Sequence, residues 1–263
     1  MTVHRTPLVL LAMASVFCAC RPAWRHEPFR AENLPPGYVA AEDRSDAPDP
    51  ERLTVPVPSP ERRRVIAHMR GHYEIVAELE HAVIGGDLPR LRDRAASFVA
   101  ASREDEDDEH VLRMTAAART ASSAEDLEQA AAAVAEMAST CGSCHVARGA
   151  VPSLPPPPAV DQGRSREAGM RRHAWAVDRM WEGLVVPSEE RWMQGSAMFS
   201  FLPGCDRGEA ETRDERQTLC HRAQALGQRA HVTEAWPERV AIHGRLLATC
   251  ASCHSRAHST RNE

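Results

Sequence analysis

The sequence predicts an all-α protein built as two tandem antiparallel four-helix bundles, and three observations carry that prediction. Apolar residues recur at spacings of three and four, and no segment alternates apolar and polar residues long enough to make a strand. One pair of landmarks occurs twice: Met69-Arg70-Gly71-His72 precedes Cys141-Gly142-Ser143-Cys144-His145, and Met170-Arg171-Arg172-His173 precedes Cys250-Ala251-Ser252-Cys253-His254. A proline segment from Val151 to Ala159, with four consecutive prolines, lies between the copies and cannot continue a helix. From the Met to the first Cys is 72 residues in the first copy and 80 in the second, so the second copy holds an insertion of about eight residues.

Each copy divides into four helices. In the first, Ile66, Met69, Tyr73, Val76, Leu79 and Val83 form one buried stripe that ends at Gly85-Gly86. Asp87 caps a second helix through Leu88, Leu91, Ala95, Phe98 and Val99. The acidic run Glu104 to Glu109 is a solvated turn, and a third helix runs near His110 to Ala121. Ser122-Ser123-Ala124-Glu125 reads as a capping box opening a fourth helix that reaches Cys144. The second copy follows the same plan, with Pro187-Ser188-Glu189 as stop and restart and Pro203-Gly204 closing its second helix. Short connections make successive helices antiparallel.

Composition sets the remaining organisation. The chain has 263 residues, 32 basic against 37 acidic for a net charge of -5, which describes globular material without a broad basic surface for nucleic acid. Lys is absent, so any basic docking patch is an arginine patch. Residues 1–20 read as an export signal: His4 and Arg5 precede an apolar run too short to span a bilayer. The run ends in Phe17-Cys18-Ala19-Cys20, so Cys20 is a candidate lipidation site, with soluble periplasmic export as the competing expectation. Residues 21–60 are a proline-rich tether, 61–149 the first bundle, 150–163 a proline-rich linker, 164–258 the second bundle and 259–263 a tail. No later stretch reaches the length a membrane helix needs, which leaves a lipid at the N-terminus as the expected membrane contact.

Eight cysteines in an exported chain ordinarily form a disulfide framework. Here four of them lie in two Cys-x-x-Cys-His units, the attachment signature of c-type haem, in which both thiols bond the haem vinyl groups and the His ligates iron. The reading assigns Cys141, Cys144, Cys250 and Cys253 as covalent haem attachments and His145 and His254 as proximal ligands, for two haems in all. A zinc site lacks a second thiol pair at finger spacing, and a thioredoxin-like redox pair lacks its βαβ context. Few residues follow His254, so the sixth-ligand side must lie upstream, on the first helix of each copy. There His72 and His173 are placed ahead of Met69 and Met170, because neutral imidazole is the commoner iron ligand; an open sixth site is the third alternative.

At this point the halves resemble class II c-type cytochromes, the cytochrome c′ family. The likeness rests on the C-terminal placement of the motif, on Arg166-Glu-Ala-Gly-Met170, which has that family's Arg-x-x-x-Met spacing, and on Val83-Ile-Gly-Gly-Asp-Leu88, which looks like its first turn. The first copy departs, with Val65 at the place of the Arg. It covers roughly residues 61–149 and 164–258. The resemblance implies a four-helix bundle around each haem and pairing of bundles through their first helices, hence a candidate homodimer.

Other residues carry simpler expectations. Cys205 and Cys220 flank the insertion and are expected to form a disulfide, with an atypical third haem site at Cys220-His221 as the sharper alternative. His68, His81, His110, His221, His231 and His243 read as surface or helix-cap residues. Trp175, Trp181, Trp192 and Trp236 read as core or haem packing. The function these features imply is electron transfer with periplasmic redox partner proteins. The alternatives are gas binding at an open iron and, more remotely, a dihaem peroxidase, for which no acid-base pair can be named.

Overall fold

The computed structural model describes residues 59–102, 108–150, 152, 154–163, 165–200 and 210–259. Among the described residues there are eight helices and no strand, so the chain is all-α: α1 (Ser59–Ile84), α2 (Leu88–Ala101), α3 (Glu109–Ser122), α4 (Leu127–Ala147), α5 (Arg166–Val185), α6 (Glu189–Ser200), α7 (Ala210–Val232) and α8 (Trp236–Ser259). All eight belong to one compact unit. The export signal with Cys20, most of the tether, Pro203-Gly204, Cys205 and the last residues of the tail lie outside the described residues. No helix among those described is long and apolar enough to cross a membrane.

Local chemistry explains the helix ends. Gly86 takes φ 73°, a conformation that costs other residues energy, and the Asp87 amide then closes α1 on the Ala82 carbonyl at 2.9 Å. The Asp87 carboxylate accepts from the Arg90 amide at 3.1 Å, with Pro89 in the first turn of α2. The start of α4 differs from the expected capping box. Asp126 is the cap, accepting from the Gln129 amide at 2.8 Å, while the Gln129 side chain accepts from the Glu125 amide at 2.7 Å. Ser122 and Ser123 instead donate back to the Arg119 carbonyl and close α3. A carboxylate meets the positive helix end better than a hydroxyl does, so the box forms four residues later. In the second half Ser165 caps α5 and the Ser188 hydroxyl accepts from the Arg191 amide at the start of α6.

The repeat persists in the helices. An offset of 101 residues relates Met69 to Met170, His72 to His173 and Phe98 to Phe199, whereas 109 relates Cys141 to Cys250. The inserted residues therefore fall after Phe199 and before Cys250, and most of them lengthen α7, which has 23 residues against 14 in α3. There α7 begins at Ala210, earlier than the position equivalent to the Glu109 start of α3.

One buried cluster runs through both halves, from Val76, Leu79 and Leu91 to Trp192, Phe199 and Leu247. Its spine is the antiparallel pair α4 and α8. Trp236, at the start of α8, donates its indole N–H to Ser139 Oγ at 2.9 Å near the end of α4. Further along, a Cβ on Gly244 would lie 3.1 Å from Ala132 Cα, so glycine is what lets the backbones close there. This register sets His243 level with Val134, its equivalent in the first copy. The first helix of each half also touches the last helix of the other: α1 meets α8, and α5 meets α4.

The linker lies along the second half. Trp175 Nε1 donates to the Pro158 carbonyl at 2.8 Å, Arg172 to the Asp161 and Gly163 carbonyls, and Arg191 to the Pro155 carbonyl. A two-pronged pair between Arg239 and Glu189 joins the start of α8 to the start of α6, with the guanidinium 5.4 Å from the Trp192 ring centre.

Candidate functional site

The two Cys-x-x-Cys-His units occupy the C-terminal turns of α4 and α8, and antiparallel packing carries them to opposite ends of that pair. Positions i, i+3 and i+4 share a helix face, so Cys141, Cys144 and His145 face one side of α4, as Cys250, Cys253 and His254 do on α8. None of the four thiols is in a disulfide. Burial pushes the Cys141 and Cys250 thiols up to about 12, with Cys144 and Cys253 adding to this, and burial raises Cys144 as well. Such thiols are poorly suited to act as thiolates in exchange or metal binding. Among the described residues no three His, Cys, Asp or Glu side chains converge as a zinc site requires.

Around the first motif, His145 Nδ1 lies 2.8 Å from the carbonyl oxygen of Val185 on α5. A carbonyl only accepts, so Nδ1 carries the proton and Nε2 keeps the lone pair that a metal needs. Burial outweighs that bond and lowers the His145 pKa, keeping the ring neutral. The close approach of α5 depends on Gly142, where a Cβ would stand 2.1 Å from the Leu184 carbonyl and 2.9 Å from the Trp236 ring. The second motif has the same kind of neighbour: the turn after α1 comes up to α8, with Gly86 beside Ser255 and Ala251.

The first-helix candidates occupy equivalent places. His72 packs edge-on to Phe98 with ring centres 5.4 Å apart, and His173 packs on Phe199 at 6.2 Å. Burial lowers His72 to about 4, with help from His68, whose ring centre is 4.2 Å away. Burial likewise lowers His173 to about 4, assisted by Arg172 and by His254. His173 and His254 are thus within electrostatic reach of each other. The rings of His72 and His173 are neutral at pH 7, the form that ligates. Met69 is half-buried, whereas Met170 is 40% exposed on α5.

Several residues stand apart from expectation. His243 is no surface residue: it is 1% exposed in the middle of α8. Its spacing from Val240 and Leu247 puts it on the apolar stripe, which was the available signal. His110 is also buried, at the start of α3, while His68, His221 and His231 are exposed. Trp181 and Trp192 are core; Trp175 and Trp236 are half-buried, tying the linker and the α4–α8 pair. Cys220 is disulfide-bonded, and Cys205 lies outside the described residues. Phe98, Phe199 and the Val185 carbonyl are further neighbours of the site, and no motif in the sequence marks them as such. The shallow depression lined by Glu78, Arg90, Asp93, Arg94 and Ser97 contains none of the site residues. No protein-family model, curated protein or solved structure matches the chain.

Proposed function

We propose that the protein is an exported dihaem c-type cytochrome, two cytochrome c′-like bundles in tandem, that transfers electrons to and from periplasmic partner proteins. The observation that carries this reading is the recurrence of Cys-x-x-Cys-His at the ends of equivalent helices, with the His145 ring turned by the Val185 carbonyl so that Nε2 is the free nitrogen. Haem supplies the one-electron chemistry when bound. The chain's own residues do the rest. Cys141, Cys144, Cys250 and Cys253 hold the macrocycles, His145 and His254 ligate from one side, and Phe98 and Phe199 pack the imidazoles of His72 and His173. Those imidazoles are the first choice for the opposite side, and Met69 and Met170 the second. With both sides filled, exchange of electrons needs little rearrangement, and Arg-rich surface is available to dock an acidic partner.

The test is the mass of the mature chain purified from cells with haem-maturation machinery. An excess of two haems is expected, and one or none overturns the reading. Optical spectra of the reduced protein then separate electron transfer from gas binding. Low-spin bands indifferent to carbon monoxide support filled sites, whereas conversion by carbon monoxide moves the function to binding of small gases.

A further inference from the structure

We propose that Glu80 and His243 form a proton-binding site linked to the haem held by Cys250 and Cys253, so that electron transfer at this second motif is coupled to a proton. The proposal rests on the dihaem reading. It begins from an oddity of the core: Glu80 on α1 and His243 on α8 are 3% and 1% exposed, and Glu80 Oε1 lies 3.9 Å from His243 Nε2. Neither that oxygen nor either ring nitrogen of His243 has a hydrogen-bond partner. The Trp181 ring centre is 5.9 Å from that of His243, and its indole N–H points to the Tyr73 hydroxyl rather than to this pair. Buried polar groups are normally satisfied, and a cluster that is not needs a reason.

The pair rests as a protonated carboxyl beside a neutral imidazole. Burial, and then the Asp178 carboxylate, drive Glu80 well above its ordinary range, and burial drives His243 down to about 3. The other charged and titratable groups around it are Tyr73 on α1; Asp178, Arg179 and Glu182 on α5; Arg191 on α6; and Cys250 on α8. Arg179 and Arg191 both pair with Glu182, which leaves Asp178 as the charge bearing on Glu80. Burial pushes Asp178 itself up to about 7, so it can take and release a proton near neutral pH.

Cys250 is the link to redox chemistry. Cys250 lies two turns beyond His243 on the same stripe of α8, through Leu247, and Glu80 contributes to raising its thiol, so a haem bonded there would sit on the face of α8 that carries this pair. When an electron leaves to a one-electron acceptor, the site gains one positive charge in a medium of low dielectric, and the Glu80 carboxylate becomes the favoured form. Glu80 then gives up one proton to water; when a one-electron donor returns the electron, Glu80 takes one proton back. The first motif lacks this partner. By the repeat, the equivalent of Glu80 is Trp181 and that of His243 is Val134, so among the described residues this buried pair is not repeated at the first motif.

The test is potentiometric titration of the full dihaem chain, and of Cys141→Ser/Cys144→Ser and Cys250→Ser/Cys253→Ser variants carrying one haem each, from pH 5 to 9. The midpoint of the second-motif haem is expected to fall as pH rises, approaching about 59 mV per tenfold change in proton concentration. That of the first-motif haem should vary less. Glu80→Gln should flatten the second response and leave the first alone. An unchanged slope in Glu80→Gln overturns the proposal. Should that variant fail to fold, the wild-type chain still answers through redox-difference infrared spectra: a protonated-carboxyl band lost on oxidation and retained in Asp178→Asn supports the site, and its absence sinks it. A chain that carries no haem overturns this proposal together with the dihaem reading; a dihaem chain with a flat response overturns this proposal alone.

Discussion

The ring of His145 and the backbone carbonyl of Val185 meet at 2.8 Å across the two halves of the chain. The candidate proximal ligand of the first motif is therefore oriented by the second copy of the repeat, through an atom that no side-chain substitution removes. The contact rests on Gly142, which admits the α5 backbone. Gly142→Ala is expected to lower unfolding stability by about 1–3 kcal/mol, as overpacking against backbone does. Denaturant unfolding of the variant beside its counterpart Ala251→Gly checks this, and equal small effects would contradict the packing described here.

The ligation proposed for His72 and His173 predicts a second result. In the dihaem protein His173→Ala should open one iron to carbon monoxide and His72→Ala the other, each converting about half of the low-spin signal. Variants of Met69 and Met170 should leave that signal in place. If the methionine variants open the sites instead, the order of the candidates is reversed while the architecture stands.

His243 predicts an acid-side dependence of folding. Its pKa is about 3 in the folded chain against an ordinary 6.5, so between those values the unfolded chain binds a proton that the native chain does not. Stability then falls as pH drops from about 6.5 toward 3. His243→Phe should be more stable relative to the wild-type chain at pH 4 than at pH 8, a comparison in which the packing change largely cancels. Thermal unfolding at the two pH values measures it, and the same difference at both would refute the assignment.

Cys220 predicts a redox-sensitive stability. Because it is disulfide-bonded, reduction or Cys220→Ser should cost about 2–4 kcal/mol and leave both Cys-x-x-Cys-His units intact. Unfolding with and without reductant checks the cost, and haem mass checks the independence.

Much of the fold is legible in the residues themselves. The stripe from Ile66 to Val83 requires a helix with one buried face, and Gly85-Gly86-Asp87 carries the chemistry of a stop and a cap, which α1 and α2 follow. What periodicity leaves open is the partner of a face. It marks α4 and α8 as apolar without saying that they lie along each other, because burial against either half satisfies the same pattern. For the same reason His243 escapes a residue-type expectation: histidine is ordinarily a surface residue, and only its spacing from Val240 and Leu247 gives it away. The motifs are plain in the sequence. The Val185 carbonyl is invisible there, since every residue has one.

The pairing of α4 with α8 has a consequence for what the middle of the molecule can contain. Two identical chains related by a twofold would present the same residue from both sides at every central position, so an acid there would face its own copy and an imidazole its own copy. A single chain with both copies of the repeat is free of that constraint. At its centre Val134 stands level with His243, and Trp181, the counterpart of Glu80, joins Glu80 at the same imidazole. One acid and one base, each present once, sit there because the two copies of the repeat differ at these positions, Glu80 against Trp181 and His243 against Val134.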